Sequence, residues 1–191
     1  SRILAFDTWQ ERWGNTDRVL TEEQNESVAM QTFSGLNLTR RIIEGQAGID
    51  GMTAAKRCWN YQKGGFQWYL PCLMELGVLC AYRDEINKAM KEIGCPDECL
   101  LPTEDSDETW AWSSSEYSQG NSWYVGFSNG NFNGLGKDCS GMVRAVAAFQ
   151  PSPSLLTGEA KSNDCLHSDE ALINMLRERG YKGELTKTLT I

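Results

Sequence analysis

Residues 123–130, whose sequence is Trp-Tyr-Val-Gly-Phe-Ser-Asn-Gly, predict a β-hairpin. Every second residue from Trp123 to Phe127 is large and apolar, which is the rhythm of a half-buried strand. The pair Asn129-Gly130 follows at once, and both residues tolerate the positive φ angles of a tight hairpin turn. Residues 131–137 then predict a polar returning strand, and the alternating apolar residues of 143–149 predict a last strand. The second half of the chain is therefore expected to form antiparallel hairpins.

Two helices are predicted upstream of this sheet. Thr53 is a suitable N-cap for a helix that ends at Gly64-Gly65, since glycine commonly terminates helices. Pro71 opens a second helical pattern, which continues until Gly94 stops it. Helices followed by antiparallel hairpins are typical of the α+β class.

The first fifty residues give weaker signals. Residues 2–6 predict a short first strand, and residues 9–24 are polar and turn-rich. Residues 34–49 suggest a loop with a short helix at 38–43. Residues 1–10 lack the basic start and long apolar stretch of a signal peptide.

Charge and hydropathy exclude two classes of partner. The formal net charge is -8, and the only adjacent basic pair is Arg40-Arg41. Proteins that bind phosphate backbones usually concentrate Lys and Arg on one patch, so we expect no nucleic-acid partner. No apolar run approaches the roughly 20 residues of a membrane-spanning helix, so we expect no membrane insertion.

The seven cysteines favour free thiols over a complete disulfide framework, because their number is odd and their spacing shows no repeat. This pattern favours folding in a reducing cytoplasm. Cys95 and Cys99 are close enough to share a zinc ion, but a structural zinc site needs four ligands. A loop disulfide or two free thiols are the favoured alternatives for this pair.

The candidates for catalysis are few. His167 is the only histidine, and it lies in a polar segment, where a solvated side chain is the favoured interpretation. Without a second histidine, a catalytic triad of the usual kind cannot be assembled. Asp105, Asp107 and Glu108 form an acidic loop without the remaining ligands of a calcium loop. We therefore expect no enzyme activity, no cofactor and no bound metal.

Residues 112–141 are crowded with Ser, Asn, Gly, Tyr and Trp and nearly lack Leu and Ile. This composition is typical of antibody-like binding surfaces, in which rigid aromatic side chains supply contact area and small polar ones adapt their hydrogen bonds. Strand patterns flank the segment, so it is expected to be held on a rigid frame. The working surface is accordingly expected between Trp110 and Phe149.

Four sequence elements follow one another along the chain. They are Trp68-Tyr69-Leu70-Pro71 with Glu75-Leu76, Trp112-Ser113-Ser114-Ser115-Glu116-Tyr117-Ser118, Trp123–Gly130, and Val143-Arg144-Ala145-Val146. Together they resemble the domain at the C-terminus of Legionella collagen-like proteins, which is widespread in gut Bacteroides proteins. The resemblance covers roughly residues 53–149. It implies a C-type-lectin-like fold, with two helices packed on a twisted antiparallel sheet, and Trp68, Trp112, Trp123 and Arg144 as scaffold residues.

The same segment is similar to the variable region of proteins diversified by retroelements in phages and bacteria. The resemblance implies adenine mutagenesis of template Asn codons and a diversified surface used without metal. The variable positions that the resemblance implies are Gln119, Asn121, Tyr124, Gly126, Asn131, Asn133, Leu135, Asp138, Cys139 and Gly141. Together with Ser128 they are the candidate ligand-binding residues.

The resulting hypothesis is a receptor-recognition module for a protein or glycan on another cell or particle, located on a virion tail or a bacterial surface. Residues 1–150 would form the domain, with an N-terminal extension before the core at 53–149. Residues 151–191 would be a linker and a small docking segment, through which a homo-oligomer or a phage structure could assemble. The alternatives are a fixed-specificity glycan adhesin, a tail-fibre or pilus-tip component, and an enzyme of formylglycine-generating type.

Overall fold

The structure, a computed structural model, describes residues 2–14, 18–21, 25–104 and 109–148. These residues form a mixed sheet of six strands with five α-helices, which confirms the α+β class. The strands are β1 (Arg2–Arg12), β2 (Trp68–Tyr69), β3 (Trp110–Glu116), β4 (Asn121–Gly126), β5 (Phe132–Gly136) and β6 (Ser140–Ala148). The helices are α1 (Glu26–Ala29), α2 (Gly35–Gly45), α3 (Ala54–Trp59), α4 (Leu73–Ala81) and α5 (Arg83–Glu92), with 3-10 turns at Lys63–Gly65 and Asp97–Cys99.

The strand order is β1-β6-β3-β4-β5, and β2 also pairs with β6. Paired strands are antiparallel except β3 and β6, which run parallel and pair at Ala111 and Met142. The expectation of a purely antiparallel sheet is therefore wrong at this point. After β5 the chain crosses back to the middle of the sheet, and local alternation does not encode which strand becomes the neighbour.

The predicted hairpin is present as β4 and β5. The N–H of Gly126 donates to the carbonyl of Asn131 at 2.8 Å, and Gly130 adopts a φ of +71° in the turn. The prediction that β4 is half-buried is wrong, because Ser122 and Val125 on its two faces are both buried. Both sides of this strand are covered by other parts of the chain.

The helix boundaries follow the expected capping residues in part. The Thr53 side chain accepts from the N–H of Lys56 at the start of α3, and Gly94, with a φ of +77°, follows the end of α5. At the start of α4, the Glu75 carboxylate accepts from the Cys72 N–H at 3.0 Å. The short helix predicted at 38–43 is confirmed as part of α2, but α1 was not predicted and Tyr82 separates α4 from α5. The prediction that the helix after Thr53 ends at Gly64-Gly65 is wrong, because α3 ends at Trp59.

The N-terminal segment is more regular than expected. Strand β1 continues to Arg12, so the prediction of a turn-rich stretch from residue 9 is wrong over its first four residues. Trp9 pairs with Val143 and Glu11 pairs with Gly141, both on β6. This long pairing supports polar residues in a strand that their local sequence does not favour.

Two hydrophobic clusters enclose the sheet. One contains Ile42 of α2 and Cys58 of α3 together with Trp112 and Val143. The other contains residues of α4 with the opposite set of strand residues: Leu73, Leu76, Ala111, Trp123, Val125 and Met142. Helices on both sides of the sheet explain why β6 is buried along almost its whole length.

Some sequence-based predictions lie outside the described residues. These are the boundary at residue 150, the segment 151–191, Phe149, the acidic residues Asp105, Asp107 and Glu108, and the side chains of Cys165 and His167.

Candidate functional site

The eleven candidate residues fall into two groups at opposite ends of the β4–β5 hairpin and a third group along its face. Strand β4 covers five residue steps, so the two ends are separated by about 17 Å. Gln119, Asn121, Asp138, Cys139 and Gly141 belong to one end, and Gly126, Ser128 and Asn131 belong to the other. Tyr124, Asn133 and Leu135 lie between them on the strands.

The first end is formed by the turns on either side of Gly136. Asn121 pairs with Gly136 across the β4–β5 ladder. A Cβ placed on Gly136 would lie 2.7 Å from Asp138 Oδ1, 3.6 Å from Cys139 Sγ and 4.0 Å from Asn121 Oδ1. These three candidate side chains therefore surround one backbone position, and those of Asp138 and Cys139 are exposed.

One face of strands β3, β4 and β5 carries three aromatic side chains beside a polar one. Tyr124 lies opposite Asn133 on β5 and opposite Trp112 on β3, so the three side chains share one face. The Tyr124 ring is 5.1 Å from the ring of Trp110, and the Trp110 ring is 4.9 Å from that of Trp112. Asn133 is exposed, whereas Tyr124 and Leu135 are half-buried.

Two of the candidates have no side chain and are buried. A Cβ on Gly141 would lie 2.0 Å from Trp110 Cη2, so the indole covers this glycine directly. A Cβ on Gly126 would lie 2.7 Å from Asn129 Oδ1. Gly141 therefore serves close packing, since a side chain there would displace the Trp110 ring, whereas at Gly126 the facing atom is the end of the flexible Asn129 side chain.

Hydrogen bonds from α5 and from the segment before β3 hold the tip of the hairpin. Arg83 Nη1 of α5 donates to the carbonyl of Phe127 at 2.5 Å, and Asn129 Oδ1 accepts from the N–H of Asn131 at 3.0 Å. Thr109 Oγ1 lies 3.4 Å from Ser128 Oγ. The tip is therefore tied to α5 and to the segment before β3, away from the first group of candidates.

A buried ion pair supports the first end. Lys137 Nζ lies 2.5 Å from Glu116 Oε1, and both side chains have no exposed area. Lys137 Nζ also donates to the carbonyl of Gln119 at 2.6 Å and lies 4.8 Å from the centre of the Trp13 ring. Glu116 Oε2 accepts from the N–H and the hydroxyl of Thr21 at 2.5 and 2.6 Å. The pair thus joins three segments beneath the candidate surface.

Sequence reasoning missed this pair. Glu116 follows three serines, and Lys137 ends a polar strand, so both resemble solvated residues. The three serines before Glu116 are all buried, but only the structure shows this burial. By contrast, the predicted scaffold residues Trp68, Trp112, Trp123 and Arg144 are all buried, with exposed fractions of 4% or less.

Within the part of the chain that the structure describes, no group of three or more His, Cys, Asp or Glu side chains is placed to hold a metal ion. No helix among these residues is both long enough and apolar enough to cross a bilayer. Comparison with protein-family models gives no match, and no curated protein matches.

Among solved structures, the chain is similar to a fimbrial protein from Bacteroides ovatus. The TM-score is 0.49 and the sequence identity is 16%. The aligned region covers 78% of this chain and 35% of the fimbrial protein. The chain therefore spans about a third of that protein's length.

Proposed function

We propose that this chain is a ligand-recognition module with a C-type-lectin-like fold, and that it is a variable protein of a diversity-generating retroelement. Its role is binding without catalysis and without a cofactor. Its partner is a protein or glycan on another cell or particle, which it meets from a virion tail or a bacterial surface. The four sequence elements between Trp68 and Val146 support the fold and the family.

The observation that carries the proposal is a contrast in solvent exposure at the Gly136 end of the β4–β5 hairpin. Asp138 and Cys139 are exposed, yet the residues immediately before and below them, Lys137 and Glu116, are fully buried and paired. Exposed side chains on a rigidly held backbone can be exchanged without loss of the fold, and they bind without a large entropic cost. Such a surface suits diversification.

The geometry also narrows the positions that can vary. Gln119, Asn131, Asn133, Asp138 and Cys139 are exposed, so most substitutions there change only the surface. A Cβ added to Gly126 or to Gly141 would lie less than 3.0 Å from a side-chain atom of a neighbouring residue. We therefore propose that the variable positions are concentrated among the exposed residues and that Gly141, which faces the Trp110 ring, is constant.

Sequencing of the locus in a bacterial population tests diversification. We expect an adjacent reverse-transcriptase gene, a near-copy of the segment coding for residues 112–149, and adenine-specific changes in the codons of the exposed residues. The codon of Gly141 is the internal control and should not vary. A uniform locus without a reverse transcriptase would replace this proposal with the fixed-specificity glycan adhesin, which needs the same surface but no variation.

A further inference from the structure

A second chemical site lies apart from the candidate binding surface, in the loop after α5. Cys95 and Cys99 enclose the exposed residues Pro96, Asp97 and Glu98. The 3-10 turn at Asp97–Cys99 is closed by the Cys99 N–H, which donates to the carbonyl of Pro96 at 3.0 Å. Cys95 directly precedes this turn and Cys99 ends it, so the two thiols are close neighbours across a single turn.

The two thiols differ in access to solvent. Cys95 is buried, with an exposed fraction of 7%, whereas Cys99 is half-buried. Loss of hydration raises the pKa of the Cys95 thiol, and the neighbouring Cys99 raises it further. An external reagent therefore reaches Cys99 first, and Cys95 is placed to react with a partner already attached to Cys99.

A buried cation lies beside the pair. Arg144 is 1% exposed, and its guanidinium donates to the carbonyls of Phe6 and Cys99. Its Nε has no hydrogen-bond partner among the described residues. Desolvation lowers the pKa of Arg144, and negative charge on Cys99 and Cys95 opposes that shift. The guanidinium thus stabilises negative charge that develops on either sulfur.

We propose that Cys95 and Cys99 are a reversible dithiol that exchanges with low-molecular-weight disulfides of the glutathione class. The Cys99 thiolate attacks one sulfur of the disulfide, which breaks the S–S bond and releases one thiol that takes a proton. Cys95 then loses its proton to solvent, and its sulfur attacks Cys99 Sγ, which releases the second thiol. Two protein thiols are oxidised to one disulfide, and one external disulfide is reduced to two thiols.

The Cys99 carbonyl accepts a hydrogen bond from Arg144 of β6, so the loop that carries both cysteines is attached to the sheet before the disulfide forms. This inference does not depend on the proposed binding function. It concerns residues outside the candidate surface and would hold for any ligand.

Peptide mapping of the full chain tests the proposal. Cleavage after Lys and Arg gives a peptide of residues 92–137, which contains Cys95 and Cys99 and no other cysteine. The protein is equilibrated with different ratios of reduced to oxidised glutathione, quenched with acid, alkylated and digested. We expect this peptide to pass from a doubly alkylated form to a form with an internal disulfide, which carries no alkyl group and has two hydrogen atoms fewer than the reduced peptide.

Three variants separate the steps. In Cys95→Ser, a glutathione adduct should accumulate on Cys99, because nothing resolves it. In Cys99→Ser, the buried Cys95 should stay unmodified under the same conditions. The control Cys139→Ser should leave the oxidation of peptide 92–137 unchanged, and far-UV circular dichroism checks that each variant is folded. A peptide that stays doubly alkylated at every ratio, or that is cross-linked to Cys139 or Cys165 instead, overturns the proposal.

Discussion

Lys137 Nζ lies 2.5 Å from Glu116 Oε1 in a place that solvent does not reach. Charges in such surroundings are tolerated only when they are paired and hydrogen-bonded. Here the carboxylate also accepts from Leu20 and Thr21, and the ammonium group donates to the Gln119 carbonyl. The pair therefore determines the backbone path beneath the candidate surface, although neither residue can touch a ligand.

Removing the ammonium group alone should be costly. In Lys137→Met the Glu116 carboxylate remains buried without its cation, and we expect the free energy of unfolding to fall by about 3–5 kcal/mol. The double variant Lys137→Met/Glu116→Gln removes the uncompensated charge and should recover much of this loss. Urea denaturation measures both. A loss below about 1 kcal/mol in the single variant would contradict a structural role for the pair.

A methyl group under Trp110 should disturb the same region. In Gly141→Ala the new Cβ would meet the indole at 2.0 Å, so the ring must move, and we expect a loss of about 1–3 kcal/mol. Gly120→Ala is the matched control, because nothing lies within 4 Å of its Cβ position. Thermal unfolding should separate the two variants clearly. Equal stability in both would mean that Trp110 does not cover Gly141.

Tyr124 is expected to stabilise the fold as well as to contact a ligand. Its ring packs 5.1 Å from the ring of Trp110, so Tyr124→Ala should lower the free energy of unfolding by about 1–3 kcal/mol. Tyr124→Phe keeps the ring contact and should stay within about 1 kcal/mol of the wild type. Chemical denaturation of both variants tests this division. If Tyr124→Phe were as unstable as Tyr124→Ala, the hydroxyl rather than the ring would support the fold.

Acid should weaken the link between β1 and the loop after α3. The pKa of Asp7 lies below its usual range, because Lys63 and then Tyr61 donate hydrogen bonds to its carboxylate. A lowered pKa in the folded state stabilises the protein above about pH 4, and this stabilisation disappears as the pH falls through the folded-state pKa. The effect is small, since 37% of the Asp7 side chain is exposed. Urea denaturation should show Asp7→Asn less stable than the wild type at pH 7, with the difference vanishing near pH 2. A difference that grows on acidification would contradict this sign.

The local features of the fold could be predicted because short-range chemistry determines them. Thr53 caps a helix, Gly94 ends one, and the hairpin reverses at Asn129-Gly130, although in a longer loop than the tight turn expected and with a positive φ only at Gly130. The parallel pairing of β3 with β6 and the continuation of β1 to Arg12 could not be predicted. Both depend on β6 as a partner distant in the sequence, and the side-chain pattern of one strand does not identify its neighbour.

The candidate site shows the same division. Composition and the family resemblance pointed to residues 119–141, and the structure places Asn121, Asp138 and Cys139 around Gly136. They did not separate this group from Ser128 and Asn131, although the turn predicted at Asn129-Gly130 already implied that these two residues lie at the hairpin tip. They also did not distinguish Gly141, which is covered by Trp110, from exposed residues such as Asn133. Burial arises from contacts between distant segments, and residue type alone does not report it.

The central claim is that the exposed side chains near Tyr124 and Asp138 contact the ligand. Binding of the fluorescently labelled full chain to a printed glycan array and to intact Bacteroides cells measures it. The test variant is Asn133→Ala/Asp138→Ala, which changes two exposed side chains of the proposed surface. The matched control is Asn37→Ala/Asp50→Ala, which removes the same two exposed residue types elsewhere.

All of these substitutions are on the surface, so both double variants should unfold within about 0.5 kcal/mol of the wild type. We predict that the surface variant loses at least about tenfold in affinity for whichever array glycan or cell the wild type binds, while the control retains its affinity. Equal affinity of the two variants would contradict the account.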